Sequence, residues 1–232
     1  PASPEGAATQ GTAPGASADG RERQERDAAW AAEAREQLAV ADQGFAERFD
    51  GGEDIDRLLA ERAAEVDSLV QGAWQRAIPP DADLALFAVG GYGRGELFPY
   101  SDIDLLVLAE PEASQRHAES LARFFALLWD SGLPVGHAVR SLQQCTEAAA
   151  GDLTVLTSLL EARPLAANEH ERRELQAAAS PRLAWPPREF FQAKRQELLD
   201  RHERFDDTAD NLEPHLKEGP GGLRDVQTLN WM

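Results

Sequence analysis

One cysteine is all that this 232-residue sequence contains. A lone Cys145 can close no intrachain disulfide and build no cysteine cluster for zinc, and it fits a reducing compartment. Basic residues are also scarce: Lys and Arg number 23 against 41 Asp and Glu, a net charge of −18. So acidic a surface repels nucleic acid and anionic membrane, which disfavours DNA or RNA as a substrate. No apolar run approaches the roughly 20 residues that a bilayer-spanning helix needs. No basic stretch followed by an apolar one opens the chain. A soluble cytoplasmic protein is the expectation. The chain starts at Pro1 without a methionine and stops at Met232 amid Val226, Leu229 and Trp231, which reads as part of something longer.

The composition that is present, 42% hydrophobic, suits a globular core. Its organisation is uneven. Residues 1–26 are mostly Ala, Gly, Pro, Ser and Thr at their start and read as a disordered tail. Residues 27–78 read as a helical segment, with Trp30, Leu38 and Phe45 on a first helix and Leu58, Leu59, Val66, Leu69, Val70 and Trp74 on a second. Residues 79–167 carry short apolar runs, DLALFAV from Asp83 and IDLLVL from Ile103, that read as buried strands. PVGHAVR from Pro134 reads as a third strand. Between them a helix is expected from about Glu112 to Trp129. Ser141 and Asp152 each read as a helix N-cap. Residues 168–232 read as a helical extension, clearest from Arg188 to Phe205, interrupted by a polar loop at 206–222.

The informative stretch is GGYGRGELFPYSDIDL, Gly90 to Leu105. Transfer of a nucleoside monophosphate asks a protein to position a triphosphate and neutralise its charge. Magnesium does much of this work and takes hard oxygen ligands such as carboxylates. Asp102 and Asp104 flank one isoleucine, so on a strand they share a face while Ile103 turns into the core. Two like charges so close repel in the absence of a cation. Gly90 and Gly91, with Gly93, let a phosphate approach the backbone because no Cβ intervenes. A helix starting near Arg94 would aim free N–H groups at the same anion. Arg94 either neutralises phosphate charge or serves elsewhere, and Ser101 either donates to the nucleotide or caps a turn.

A glycine turn and an Asp-x-Asp pair at this spacing resemble the nucleotidyltransferase superfamily that includes DNA polymerase β. GGYGRGELFPYSDIDLL, VGHAVR, DLTVLTSLLEAR and NLEPHLKEGPGGLRDVQTLNW together resemble the amino-terminal part of the bacterial PII uridylyltransferase/uridylyl-removing enzymes. The resemblance implies an α+β fold, a small mixed sheet flanked by helices with helical additions at both ends. It implies magnesium-dependent transfer of UMP from UTP to a tyrosine hydroxyl of the PII nitrogen-signal protein, with release of pyrophosphate. Asp102 and Asp104 match the family's metal-binding carboxylates, and Gly90 and Gly91 its phosphate-side turn. The family's hydrolase and glutamine-sensing domains have no counterpart in this sequence.

Some readings stay open. The superfamily often adds a third carboxylate, but the third strand offers Gly136, His137 and Arg140 and no acid. Asp152 reads better as a cap than as that ligand, and His137 either faces the site or is simply held in the sheet. Lys217 and Arg224 flank a glycine- and proline-rich turn and either reach the triphosphate or meet acidic neighbours. Rival functions are transfer of another nucleotide or to another acceptor, as in an adenylyltransferase, and a degenerate nucleotide-binding module.

Overall fold

A computed structural model of the chain describes residues 18–180, 185–205, 207–208 and 213–232. The expected tail lies outside these residues as far as residue 17. Helix α1 (Ala18–Asp50) begins inside the stretch assigned to the tail rather than near Asp27. The Arg, Glu and Gln of its first turns are good helix formers. Asp27, within this helix, is held in a bidentate pair by Arg123 at 2.7 and 2.8 Å. Helix α2 (Ile55–Ala77) starts at Asp54, whose side chain accepts from the Arg57 N–H, and ends just ahead of Pro79.

Four strands follow: β1 (Ala85–Ala88), β2 (Ile103–Leu108), β3 (Val135–Arg140) and β4 (Arg163–Ala166). Their order in the sheet is β3-β2-β1-β4. β1 is antiparallel to both β2 and β4, whereas β2 and β3 run parallel. The α+β class expected from the sequence, a small mixed sheet flanked by helices, is the class observed. β4 is not among the strands expected from the sequence. Four residues, one of them Pro164, give little strand signal, and proline is tolerated because β4 is an edge strand. The single helix expected over 112–129 is two, α4 (Pro111–Arg116) and α5 (Ala118–Asp130), divided at His117.

Alternation along β2 feeds two separate cores. Ile103, Leu105 and Val107 pack with α2 and α5, where Trp74 meets Phe124 edge-on at 5.1 Å between ring centroids. Leu106 and Leu108 pack on the other face with Cys145, Leu156 and Leu175. That second face is covered by α6 (Leu142–Gly151), α7 (Leu153–Leu160), α8 (Glu169–Ala178) and the helix Pro187–Glu203. Ser141 caps α6 in a reciprocal box with Gln144, and Asp152 caps α7 by accepting from the N–H groups of Thr154 and Val155. Each fully buried Leu or Phe contributes about 1.5–3 kcal/mol. Both faces are covered, and the end of the sheet that carries Asp104 is exposed.

Candidate active site

Pairing directions decide what meets at the open end. The end of β1 lies beside the start of β2, since Ala88 pairs with Leu105 and the Val89 N–H donates to the Asp104 carbonyl at 3.0 Å. β3 starts at the same rim, with Gly136 opposite Asp104, and so does β4, with Arg163 opposite Ala88. The glycine turn, the aspartates and the first residues of β3 and β4 therefore share one edge.

The turn itself is a short helix, α3 (Gly90–Gly93), that begins straight after β1. This corrects the expectation of a helix starting near Arg94, which is instead its C-cap. The left-handed φ of 59° at Gly90 reverses the chain there, a conformation that glycine adopts without strain. Gly93 has no room for a Cβ against the Glu161 carbonyl at the end of α7. The first N–H groups of such a turn lack helical partners by construction. Among the described residues those of Gly90, Gly91 and Tyr92 have no acceptor.

Asp104 stands on β2 and Asp102 just before it, both exposed, with the intervening Ile103 buried. The Asp104 carboxylate lies between two glycines. A Cβ at Gly136 would fall 2.7 Å from its Oδ1, and one at Gly90 3.4 Å from its Oδ2. Although solvent reaches Asp104, its partial burial is the main cause that raises its pKa. The charge of Asp102 raises it further, and Lys217 opposes both. Asp102 and Lys217 are thus near enough to Asp104 for their charges to act on it.

The other predicted residues divide. Lys217 is exposed and, among the described residues, has no carboxylate within ion-pair distance. Arg94 is already satisfied, paired with Glu96 at 2.8 Å and Glu161 at 2.7 Å. Arg224 donates to Glu218 at 3.2 Å and Gln227 at 2.9 Å and lies over the Trp231 ring. Ser101 closes a backbone turn by donating its N–H to Phe98 and lines an apolar groove between α1 and α2, beside the exposed Tyr100. His137 stacks on Phe125 with centroids 3.8 Å apart. It is on the face of β3 opposite to Gly136, so it is held in the sheet and does not face Asp104.

Among the described residues no group of three or more His, Cys, Asp or Glu is gathered for a metal. Two exposed carboxylates are nonetheless a fitting donor set for a hard cation that takes its remaining ligands from phosphate and water. Burial first and then the charge of Asp102 raise the pKa of Asp104, and a bound cation would relieve the second of these.

Several site residues escaped the sequence. Gly136 makes room for Asp104, and a glycine interrupting a strand pattern is a usable sign of close approach. Glu161 links Arg94 to Trp231, whose Nε1–H donates to its Oε1 at 2.6 Å. Asp67, Tyr92 and Arg163 form a cluster behind the glycine turn. Asp67 had a signal too, an acid on the apolar stripe of α2 between Ala63 and Val70.

Residues 189–232 match the family model described as GlnD PII-uridylyltransferase. A bifunctional uridylyltransferase/uridylyl-removing enzyme of Xanthomonas campestris pv. campestris is 65% identical over 206 residues, 89% of this chain and 24% of the relative. The like-named proteins of Xanthomonas euvesicatoria pv. vesicatoria and Ectopseudomonas mendocina are 62% and 52% identical, over 89% and 80% of this chain and 24% and 21% of their own lengths. The chain thus spans about a quarter of the length of these curated relatives. Among solved structures, a toxin–antitoxin with AMP-PNP matches 61% of this chain and 96% of its own at 18% identity, with a TM-score of 0.30.

Proposed function

We propose, for a chain homologous to the amino-terminal part of bifunctional uridylyltransferase/uridylyl-removing enzymes, that it carries their nucleotidyl-transfer step. The reaction is transfer of UMP from UTP to a tyrosine hydroxyl of the PII nitrogen-signal protein, with pyrophosphate leaving. The observation that carries this reading is the Asp104 carboxylate, seated between Gly90 and Gly136 with Asp102 beside it and Lys217 opposing its charge.

Each group has a task that its position supports. Asp102 and Asp104 would hold magnesium, which when bound neutralises the triphosphate and eases loss of the acceptor proton. The backbone N–H groups of Gly90, Gly91 and Tyr92 offer donors to phosphate oxygens where no side chain blocks approach. Lys217 supplies a mobile cation for the triphosphate or the departing pyrophosphate. Arg94 and Arg224, both engaged with carboxylates, act by holding the turn and the 217–225 loop in place. Ser101 lies one residue before Asp102 and fixes the loop that delivers it. A cytoplasmic setting belongs to the same proposal. No helix among the described residues is long and apolar enough to cross a membrane.

The test is to incubate the chain with magnesium, PII and each labelled nucleoside triphosphate in turn. Label on a PII tyrosine from UTP, with stoichiometric pyrophosphate, is the expected result. Label from ATP but never from UTP would move the assignment to an adenylyltransferase. Absence of pyrophosphate with every nucleotide and acceptor would leave only a binding module.

A further inference from the structure

The glycine turn is held from behind by three side chains that the transfer step does not touch. Arg163, the first residue of β4, grips Asp67 of α2 through two bonds of 2.6 and 3.0 Å. The same guanidinium donates to the carbonyls of Gly93 and Tyr92, each at 3.3 Å. The buried Tyr92 donates its hydroxyl to Asp67 at 2.6 Å, and Arg163 lies over its ring. Two elements distant in sequence, α2 and β4, thus meet at α3, with Arg163 holding its last two carbonyls and Asp67 holding Arg163 and the Tyr92 hydroxyl.

We propose that Asp67, Tyr92 and Arg163 form a brace that fixes the glycine turn against Asp104, making them positioning residues for the nucleotide phosphates. The inference rests on the reading of the site given above. Its physical basis is direction. The carbonyl end of the turn is tied to a cation, so the opposite end, with the N–H groups of Gly90, Gly91 and Tyr92, is left toward the rim. The planar fork of arginine can serve a carboxylate and two carbonyls at once, which a lysine ammonium does not reproduce. The pairing of Asp67 with Arg163 also leaves no net charge behind the turn to compete with the triphosphate. An apolar trio would fill the same space without desolvating an ion pair, so bare packing is a poor reason for these residues. Misplacement by about 1 Å at a phosphate site is enough to cost on the order of a hundredfold in rate.

Arg163→Lys and Tyr92→Phe test the brace, with UTP binding, steady-state transfer and thermal unfolding measured on the whole chain. Arg163→Lys is expected to weaken UTP binding about tenfold and Tyr92→Phe two- to threefold, with the KM for the PII acceptor unchanged. A purely structural role would instead lower the melting temperature and leave the nucleotide affinity of the folded protein alone. Should Arg163→Lys not fold, Tyr92→Phe, which removes one hydroxyl, decides the matter by the same split. Folded variants that bind UTP as tightly as the wild type overturn the brace. A wild type that binds no UTP overturns the site reading itself and the brace with it.

Discussion

Asp104 and Gly136 face each other across the parallel β2–β3 ladder, with only 2.7 Å between the carboxylate Oδ1 and the place where a Cβ would stand at the glycine. A methyl group there must push the carboxylate aside, and a carboxylate is a movable side-chain end. The fold should tolerate Gly136→Ala, with stability within about 1 kcal/mol of wild type, since alanine is otherwise preferred to glycine in a strand. Transfer should fall at least tenfold. Paired measurements of denaturant unfolding and pyrophosphate release would check this, and unchanged activity would separate Asp104 from the chemistry.

Replacing either aspartate should divide activity from stability even more sharply. Asp102→Asn and Asp104→Asn are expected to abolish transfer while leaving the metal-free fold as stable or slightly more so, because repulsion between the two is relieved. In the wild type, ligand at about 100 times its dissociation constant adds roughly 2.7 kcal/mol. Neither variant should show that magnesium-dependent gain in a melting experiment. Unfolding of the variants would mark the pair as architectural.

The sign of the pH effect follows from the raised pKa of Asp104. Between its unfolded and folded values the native state holds the proton more often than the unfolded state does. Stability of the metal-free chain from this group therefore falls as pH rises through that window, the opposite of a salt-bridged carboxylate. Comparing melting curves of wild type and Asp104→Asn from pH 3 upward, without divalent ions, should show this slope as a loss of wild-type stability relative to the variant as pH rises, over the background of the salt-bridged carboxylates that both share. A wild type that gains stability relative to the variant over that range would contradict it.

Cys145 offers a probe away from the site. It is fully buried in the second core, and burial pushes its thiol up to about 11. At pH 8 it stays a protonated thiol with no path for a reagent. Labelling by a thiol reagent should proceed at the rate of opening and become fast only in denaturant. Immediate labelling of the native chain would show that the face of the sheet covered by α6 is looser than its packing indicates.

Much of the site was legible because its chemistry is local. The Asp-x-Asp pair and the glycine turn lie within one short stretch, and strand alternation alone predicts that Ile103 is buried while its neighbours are exposed. Ser141 and Asp152 were legible as caps for the same reason, since a cap is defined by the three residues that follow it. Partners brought from afar were harder. Nothing in the sequence near Arg94 reveals that Glu161 meets it, or that Trp231 reaches the same carboxylate. The start of α3 was misplaced because a left-handed glycine opening a helical turn has no hydrophobic period to announce it. β4 was missed because edge strands of four residues carry too few positions to alternate.

Alternate residues of β2 serve different interiors, and this ties the heredity of the two halves together. Sliding the strand by one residue would send Leu106 and Leu108 into the space shaped for Leu105 and Val107, and would carry a carboxylate into oil. Insertions in the Gly95–Asp102 connection must spare Leu97, which is buried in the first core, and Ser101, whose turn with Phe98 leads into β2. None can be absorbed between Ile103 and Leu108 without dismantling both halves of the molecule together.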